Sequence, residues 1–131
     1  MAMLHTADNV LAAISDKQSL ELFRYIADTN GDSDALRAKI NLTRKQYYSR
    51  LSRMTKVGLV KRKNGKHFLT AFGKVVYDAQ KTIEKAVDIF WKLKAVDSLE
   101  LSGELPEEER AKLIDNLLDN KEIKQILSNR V

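Results

Sequence analysis

Twelve Lys and Arg side chains fall between Arg37 and Tyr77, and that stretch contains no Asp or Glu. The other ninety residues hold eleven basic and eighteen acidic side chains, so the formal net charge of +5 combines a +12 block with flanks at −7. Ammonium and guanidinium groups gathered in this way suit a polyanion. Neutralising phosphates releases condensed counterions, and segregated positive charge is therefore the electrostatic footprint expected of a nucleic-acid binder. A charge run can equally be a solvated face, so the block gains meaning only if the fold gathers it on one surface. Other reactive types are sparse. The chain has no cysteine, which removes disulfides, thiolate metal ligation and cysteine redox chemistry. His5 and His67 are the only histidines and have no acidic neighbours in register, so neither a metal site nor a Ser-His-Asp set can be assembled around them. Gly31, Gly58, Gly65, Gly73 and Gly103 each fit a turn or a helix end rather than a phosphate-cradling loop. These absences argue against an enzyme and against any resident metal or cofactor.

The elements that must carry the basic block can be read from pattern and punctuation. At 131 residues and 44% hydrophobic content the chain can bury one core with an appendage. It shows no signal-peptide pattern and no apolar run near the roughly 20 residues that span a bilayer, so the expectation is a soluble, cytoplasmic protein without a membrane partner. Ser15 and Asp16 are N-cap types before Leu20, Phe23, Ile26 and Ala27, which predicts a helix to about Thr29. A shorter helix is expected from Ser33 or Asp34, with Leu36 and Ile40 on one face. Thr43-Arg44-Lys45-Gln46 has the form of a capping box, with Leu42 and Tyr47 as its staple, and predicts a helix from Arg44 to Gly58 whose seam is Tyr47, Leu51 and Met54. The period then changes. Residues 59–62 and 67–69 read as short strands joined by Lys63-Asn64-Gly65-Lys66, a strong hairpin signal because both central residues tolerate positive φ.

Thr70 can cap a long helix reaching about Asp97, roughly 40 Å at 1.5 Å per residue. Its apolar positions Val76, Ala79, Ile83, Ala86, Phe90 and Leu93 step by three and four like a coiled-coil seam, and a second copy of the chain is the simplest cover for it. Residues 98–105 read as a polar linker. Pro106 and the three following glutamates start another helix with Leu113, Ile114, Leu117 and Leu118 on one face, and Asn120 interrupts it before a last short helix. The tail carries a net charge of −3 and needs another surface to fold on. The expected fold class is thus mainly α with a small β-hairpin (α+β). Its expected parts are residues 1–74 holding three helices and the hairpin, residues 75–98 as a long dimerisation helix, and residues 99–131 as an acidic helical tail.

This order, together with Val10-Leu11-Ala12-Ala13-Ile14-Ser15-Asp16, Leu22-Phe23-Arg24-Tyr25-Ile26, Leu42-Thr43, Gly58-Leu59-Val60-Lys61-Arg62 and Leu69-Thr70 with Gly73-Lys74, resembles winged helix-turn-helix transcription factors. Within them it is similar to the arsenic-repressor-type (ArsR-like) group with archaeal relatives. The resemblance covers about residues 8–98, and Lys17 replaces the proline usual after Ser-Asp. It implies a homodimeric, sequence-specific regulator of transcription that binds double-stranded DNA, with residues 43–57 as recognition helix and residues 61–66 as wing. Projecting the helix at 100° per residue with Tyr47, Leu51 and Met54 inward turns Lys45, Ser49, Ser52, Arg53 and Lys56 outward, flanked by Arg44, Tyr48 and Arg50. Lys45, Tyr48, Ser49 and Ser52 would meet base edges or nearby phosphates, and Arg44, Arg50 and Arg53 the backbone. Lys61, Arg62, Lys63, Asn64 and Lys66 of the wing would follow an adjacent groove or phosphate track. Plainer uses stand beside these. Gln46 can complete the cap instead of reading adenine, and Tyr48 can either stack on a sugar or base or cover the helix–helix joint. The rival reading is a winged-helix module that contacts RNA or protein within the transcription or translation machinery. An effector, the operator and the sign of regulation are not encoded legibly.

Overall fold

A computed structural model of the chain describes residues 5–29, 37 and 40–128. Their order is α1 (Ala7–Ala13), α2 (Lys17–Thr29), α3 (Arg44–Lys56), β1 (Val60–Lys63), β2 (Lys66–Leu69), α4 (Ala71–Asp88), α5 (Phe90–Ser102), α6 (Glu107–Leu117) and α7 (Lys121–Ser128). The described chain is mainly helical with one two-stranded antiparallel hairpin. The short helix predicted from Ser33 or Asp34 lies outside the described residues. Two compact units divide between Asp78 and Ala79.

Helix starts in the first unit are closed by their own side chains. The Thr6 hydroxyl accepts from the Asn9 N–H ahead of α1, and the Asp16 carboxylate accepts from the Ser19 N–H at 3.0 Å ahead of α2. At α3 the predicted capping box is complete: Thr43 Oγ1 accepts from the Gln46 N–H at 3.1 Å, and Gln46 Oε1 accepts from the Thr43 N–H at 3.0 Å. Two of the orphan donors of a helix start are thereby satisfied reciprocally. Gln46 is committed to the cap. Apolar spacing then sets the core. Leu22, Phe23 and Ile26 of α2, Tyr47, Leu51 and Met54 of α3, and Leu59, Val60 and Leu69 at the hairpin are all buried, with Val10, Ala13 and Ile14 from the N-terminal end.

The hairpin follows from its turn. Asn64 and Gly65 both have positive φ, 54° and 77°, as a two-residue turn matching strand twist requires. Register pairs Val60 with Leu69, Lys61 with Phe68, Arg62 with His67 and Lys63 with Lys66. Because side chains alternate, Val60 and Leu69 point to the core, while Lys61, Lys63, Lys66 and Phe68 share the other face. Thr70 fastens its base. The Thr70 hydroxyl donates to the Gly58 carbonyl and accepts from the Gly73 N–H at 2.8 Å, while the Thr70 N–H donates to the Leu59 carbonyl at 3.0 Å. A Cβ on Gly73 would stand 2.0 Å from the Leu59 carbonyl oxygen, so glycine is what lets α4 start this close to the hairpin.

In the second unit Val96, Leu118 and Ile123 are buried, with Ala86, Ile89, Leu93, Ile114 and Leu117 packed around them. The Thr82 hydroxyl donates to the Glu122 carboxylate, and Lys85 lies 4.0 Å from the other Glu122 oxygen, so α7 is held along α4 by polar contacts as well. Asn120 Oδ1 accepts from the Ile123 N–H at 2.9 Å and starts α7, as its position predicts.

Two expectations fail here. The long helix is interrupted at Ile89, whose φ and ψ of −112° and 26° separate α4 from α5. No Pro or Gly marks the position, and the bonds from the Ile89 N–H to Lys85 and from the Leu93 N–H to Ile89 persist across it. Ile89 itself packs on the small second core while Phe90 and Trp91 remain exposed. Residues 98–102, expected as linker, continue α5, because no residue before Gly103 opposes helix and Gly103 ends it at φ +64°.

Candidate nucleic-acid interface

The capped start of α3 and its buried seam fix which side chains it exposes. Arg44, Lys45, Tyr48, Ser49, Ser52, Arg53 and Lys56 are all exposed, as the helical projection predicts. Lys45, Ser49, Ser52 and Arg53 make no side-chain hydrogen bond or ion pair among the described residues, which leaves them available to a partner. Tyr48 is 55% exposed and meets Tyr47 edge-on at 5.1 Å between ring centres. The Tyr47 ring braces it from the core side, so its own outer face stays open.

Arg50 behaves differently. Its guanidinium donates to Asp16 Oδ2 at 3.3 Å and to Gln18 Oε1 at 3.2 Å, and its side chain is only 25% exposed. The residue expected at the DNA backbone is therefore engaged in fastening α3 to the start of α2. The sequence offers no local sign of this, because Asp16 and Gln18 lie more than thirty positions away. Partial burial pushes the Asp16 carboxyl up, but hydrogen bonds from Ser19 and the neighbouring Arg50 outweigh that and hold it below the usual carboxylate value.

The hairpin adds a second group of cations. Lys61, Arg62, Lys63, Asn64 and Lys66 are all exposed, and none of them is ion-paired among the described residues. Both groups belong to the first unit, whose residues 40–77 contain no carboxylate side chain. A surface built in this way offers several unpaired cations with hydroxyls and one tyrosine between them, the donor set that phosphate and base edges require.

The six predicted dimer positions are divided by the fold. Val76 packs on the first core, Ala86 and Leu93 pack on the second, and Ala79, Ile83 and Phe90 are exposed. Val87 and Trp91, which the heptad reading omits, are exposed at 66% and 78%. Among the described residues no three His, Cys, Asp or Glu side chains gather as metal ligands, and no helix is long and apolar enough to cross a membrane. Compared with known proteins, the chain matches no family model, no curated protein and no solved structure at a significant level.

Proposed function

We propose that the chain is a homodimeric, sequence-specific double-stranded DNA-binding regulator of transcription with a winged helix-turn-helix head, α3 serving as recognition helix and the β1–β2 hairpin as wing. What supports this reading most is the unpaired face of α3, where Lys45, Ser49, Ser52 and Arg53 project together from a helix whose opposite side is locked in the core. A helix of this kind fits the B-DNA major groove, whereas the major groove of A-form RNA is too narrow for it. Arg44 and Arg53, with Lys61, Arg62, Lys63 and Lys66, supply phosphate contacts. Arg50 positions α3 rather than contacting DNA. Pairing two copies through Ile83, Val87, Phe90 and Trp91 removes apolar surface from water at roughly 25 cal/mol per Å² and sets two α3 helices for half-sites about 34 Å apart on an inverted repeat.

Salt titration of duplex binding tests it. Fluorescence anisotropy with a labelled duplex should show log affinity falling steeply and linearly with log salt, each phosphate contact adding close to 0.9 to the slope. A nearly salt-independent affinity, or tighter binding to structured RNA than to any duplex, would favour the RNA- or protein-binding alternative instead.

A further inference from the structure

A second feature of the first unit is left over by phosphate binding. Between the face of the hairpin that carries Lys61, Lys63 and Phe68, the end of α2 and the first turns of α4 lies a cavity of about 380 Å³. Its floor is apolar, built from Ile26, Ala27 and Phe68, and three lysines, Lys61, Lys63 and Lys74, line it as well. None of the three is ion-paired among the described residues. Tyr77 lines the cavity too, and its hydroxyl donates at 2.9 Å to the carboxylate of Asp28, a residue outside the lining. Three like charges around one apolar hollow repel each other, and an anion seated among them removes that cost. Inorganic phosphate or a DNA phosphate would satisfy the lysines but leave the floor in water. A ligand with a flat apolar body and one carboxylate satisfies both, and the volume lies in the range of small-molecule sites, near its lower end.

We propose that this cavity binds a small aromatic carboxylate, its ring against Ala27 and Phe68 and its charge among Lys61, Lys63 and Lys74, and that occupancy weakens DNA binding by drawing Lys61 and Lys63 away from phosphates. The cavity stands independently of the proposed function, while the coupling rests on it. Coupling is reciprocal, so duplex DNA must weaken the ligand by the same factor.

The full chain titrated with 2-naphthoate, followed by amide NMR, tests the site without DNA. Saturable shifts are expected around residues 26–27, 61–63, 68–69 and 74–77, with the neutral isostere 2-naphthamide binding about tenfold more weakly for want of the charge-assisted contacts. Lys74→Gln should weaken naphthoate about tenfold and leave duplex affinity unchanged, since Lys74 is outside the proposed DNA contacts. Ala27→Leu, which fills the floor, should abolish binding while the spectrum stays folded. Absence of saturable shifts, equal binding of the amide, or indifference to Lys74→Gln overturns the site. In a separate arm, saturating naphthoate should lower duplex affinity at least several-fold. Naphthoate binding with unchanged duplex affinity overturns the coupling, and failure of the protein to bind any duplex overturns the regulator reading while leaving the naphthoate result to decide the site.

Discussion

Replacing Gly73 with alanine reverses the sign that the substitution normally has. Inside a helix, Gly→Ala ordinarily stabilises by about 1 kcal/mol, because glycine pays more backbone entropy. At Gly73 the new Cβ would stand 2.0 Å from the Leu59 carbonyl oxygen and 3.0 Å from its carbon, against about 3.3 Å for a relaxed carbon–oxygen contact. The obstacle is backbone, so relief requires α4 and the base of β1 to separate by more than about 1 Å. That motion lengthens the 3.0 Å bond from the Thr70 N–H to Leu59 and disturbs the Thr70 hydroxyl's bond to Gly58. Overpacking costs about 1–3 kcal/mol and each weakened hydrogen bond about 1 kcal/mol. Set against the gain in helix propensity, a net loss of about 2–4 kcal/mol is expected. Urea denaturation, with Ala79→Gly on the exposed face of α4 as the ordinary-helix control, measures both signs. Gly73→Ala should also weaken duplex binding, since the hairpin moves with its base. A Gly73→Ala protein as stable as the parent, or more stable, would refute the close approach as the reason for this glycine.

The hairpin substitutions Lys63→Ala and Lys66→Ala should weaken all duplexes alike, whereas Lys45→Ala and Ser49→Ala should cost roughly 1–3 kcal/mol mainly on the preferred site, as competition binding against scrambled duplexes would show. Arg50→Ala should lower stability by about 0.5–1 kcal/mol, a figure discounted for the exposure of its Asp16 partner, yet leave the salt slope of DNA binding unchanged, while Arg53→Ala should flatten that slope. The Asp16 pKa is depressed by folding, so the unfolded chain binds more protons; the stability from this group is complete above about pH 3.9 and is lost as pH falls through the lower folded value, a dependence that Asp16→Asn should remove from acid denaturation curves. Ile83→Asp with Phe90→Asp should give monomers with intact first-unit spectra and far weaker duplex binding, and sedimentation of the unmodified chain as a monomer at micromolar concentration would exclude the dimer.

What the sequence made legible was local. The capping box at Thr43, the Asn64-Gly65 turn, the buried trio Tyr47, Leu51 and Met54, and the Asn120 break each depend on residues within a few positions of one another, and the structure places all of them as their chemistry predicts. The start of α1 at Thr6 is equally local but carries no clear pattern, because residues 7–13, three of them alanine, show little periodic contrast. Long-range choices were not legible. Arg50 has the same spacing and charge as a DNA contact, and only the fold brings Asp16 and Gln18 to it. The heptad pattern of residues 76–93 likewise does not show which apolar positions neighbours cover: the fold packs Ala86 and Leu93 on the second core and leaves Ile83 and Phe90 exposed.

The disparity between the two cores sets where the chain comes apart. Fourteen buried residues form the first core and three form the second, among the described residues. So small a core protects few backbone amides, and local opening there requires little free energy relative to global unfolding. Hydrogen exchange should therefore run fastest through α6 and α7, and a protease should make its first cut near residues 103–106 while the head remains intact. If that cut governs degradation, the cellular lifetime of the protein is a property of its acidic tail, and its abundance can be tuned through Leu118 or Ile123 without touching a single residue of the basic face.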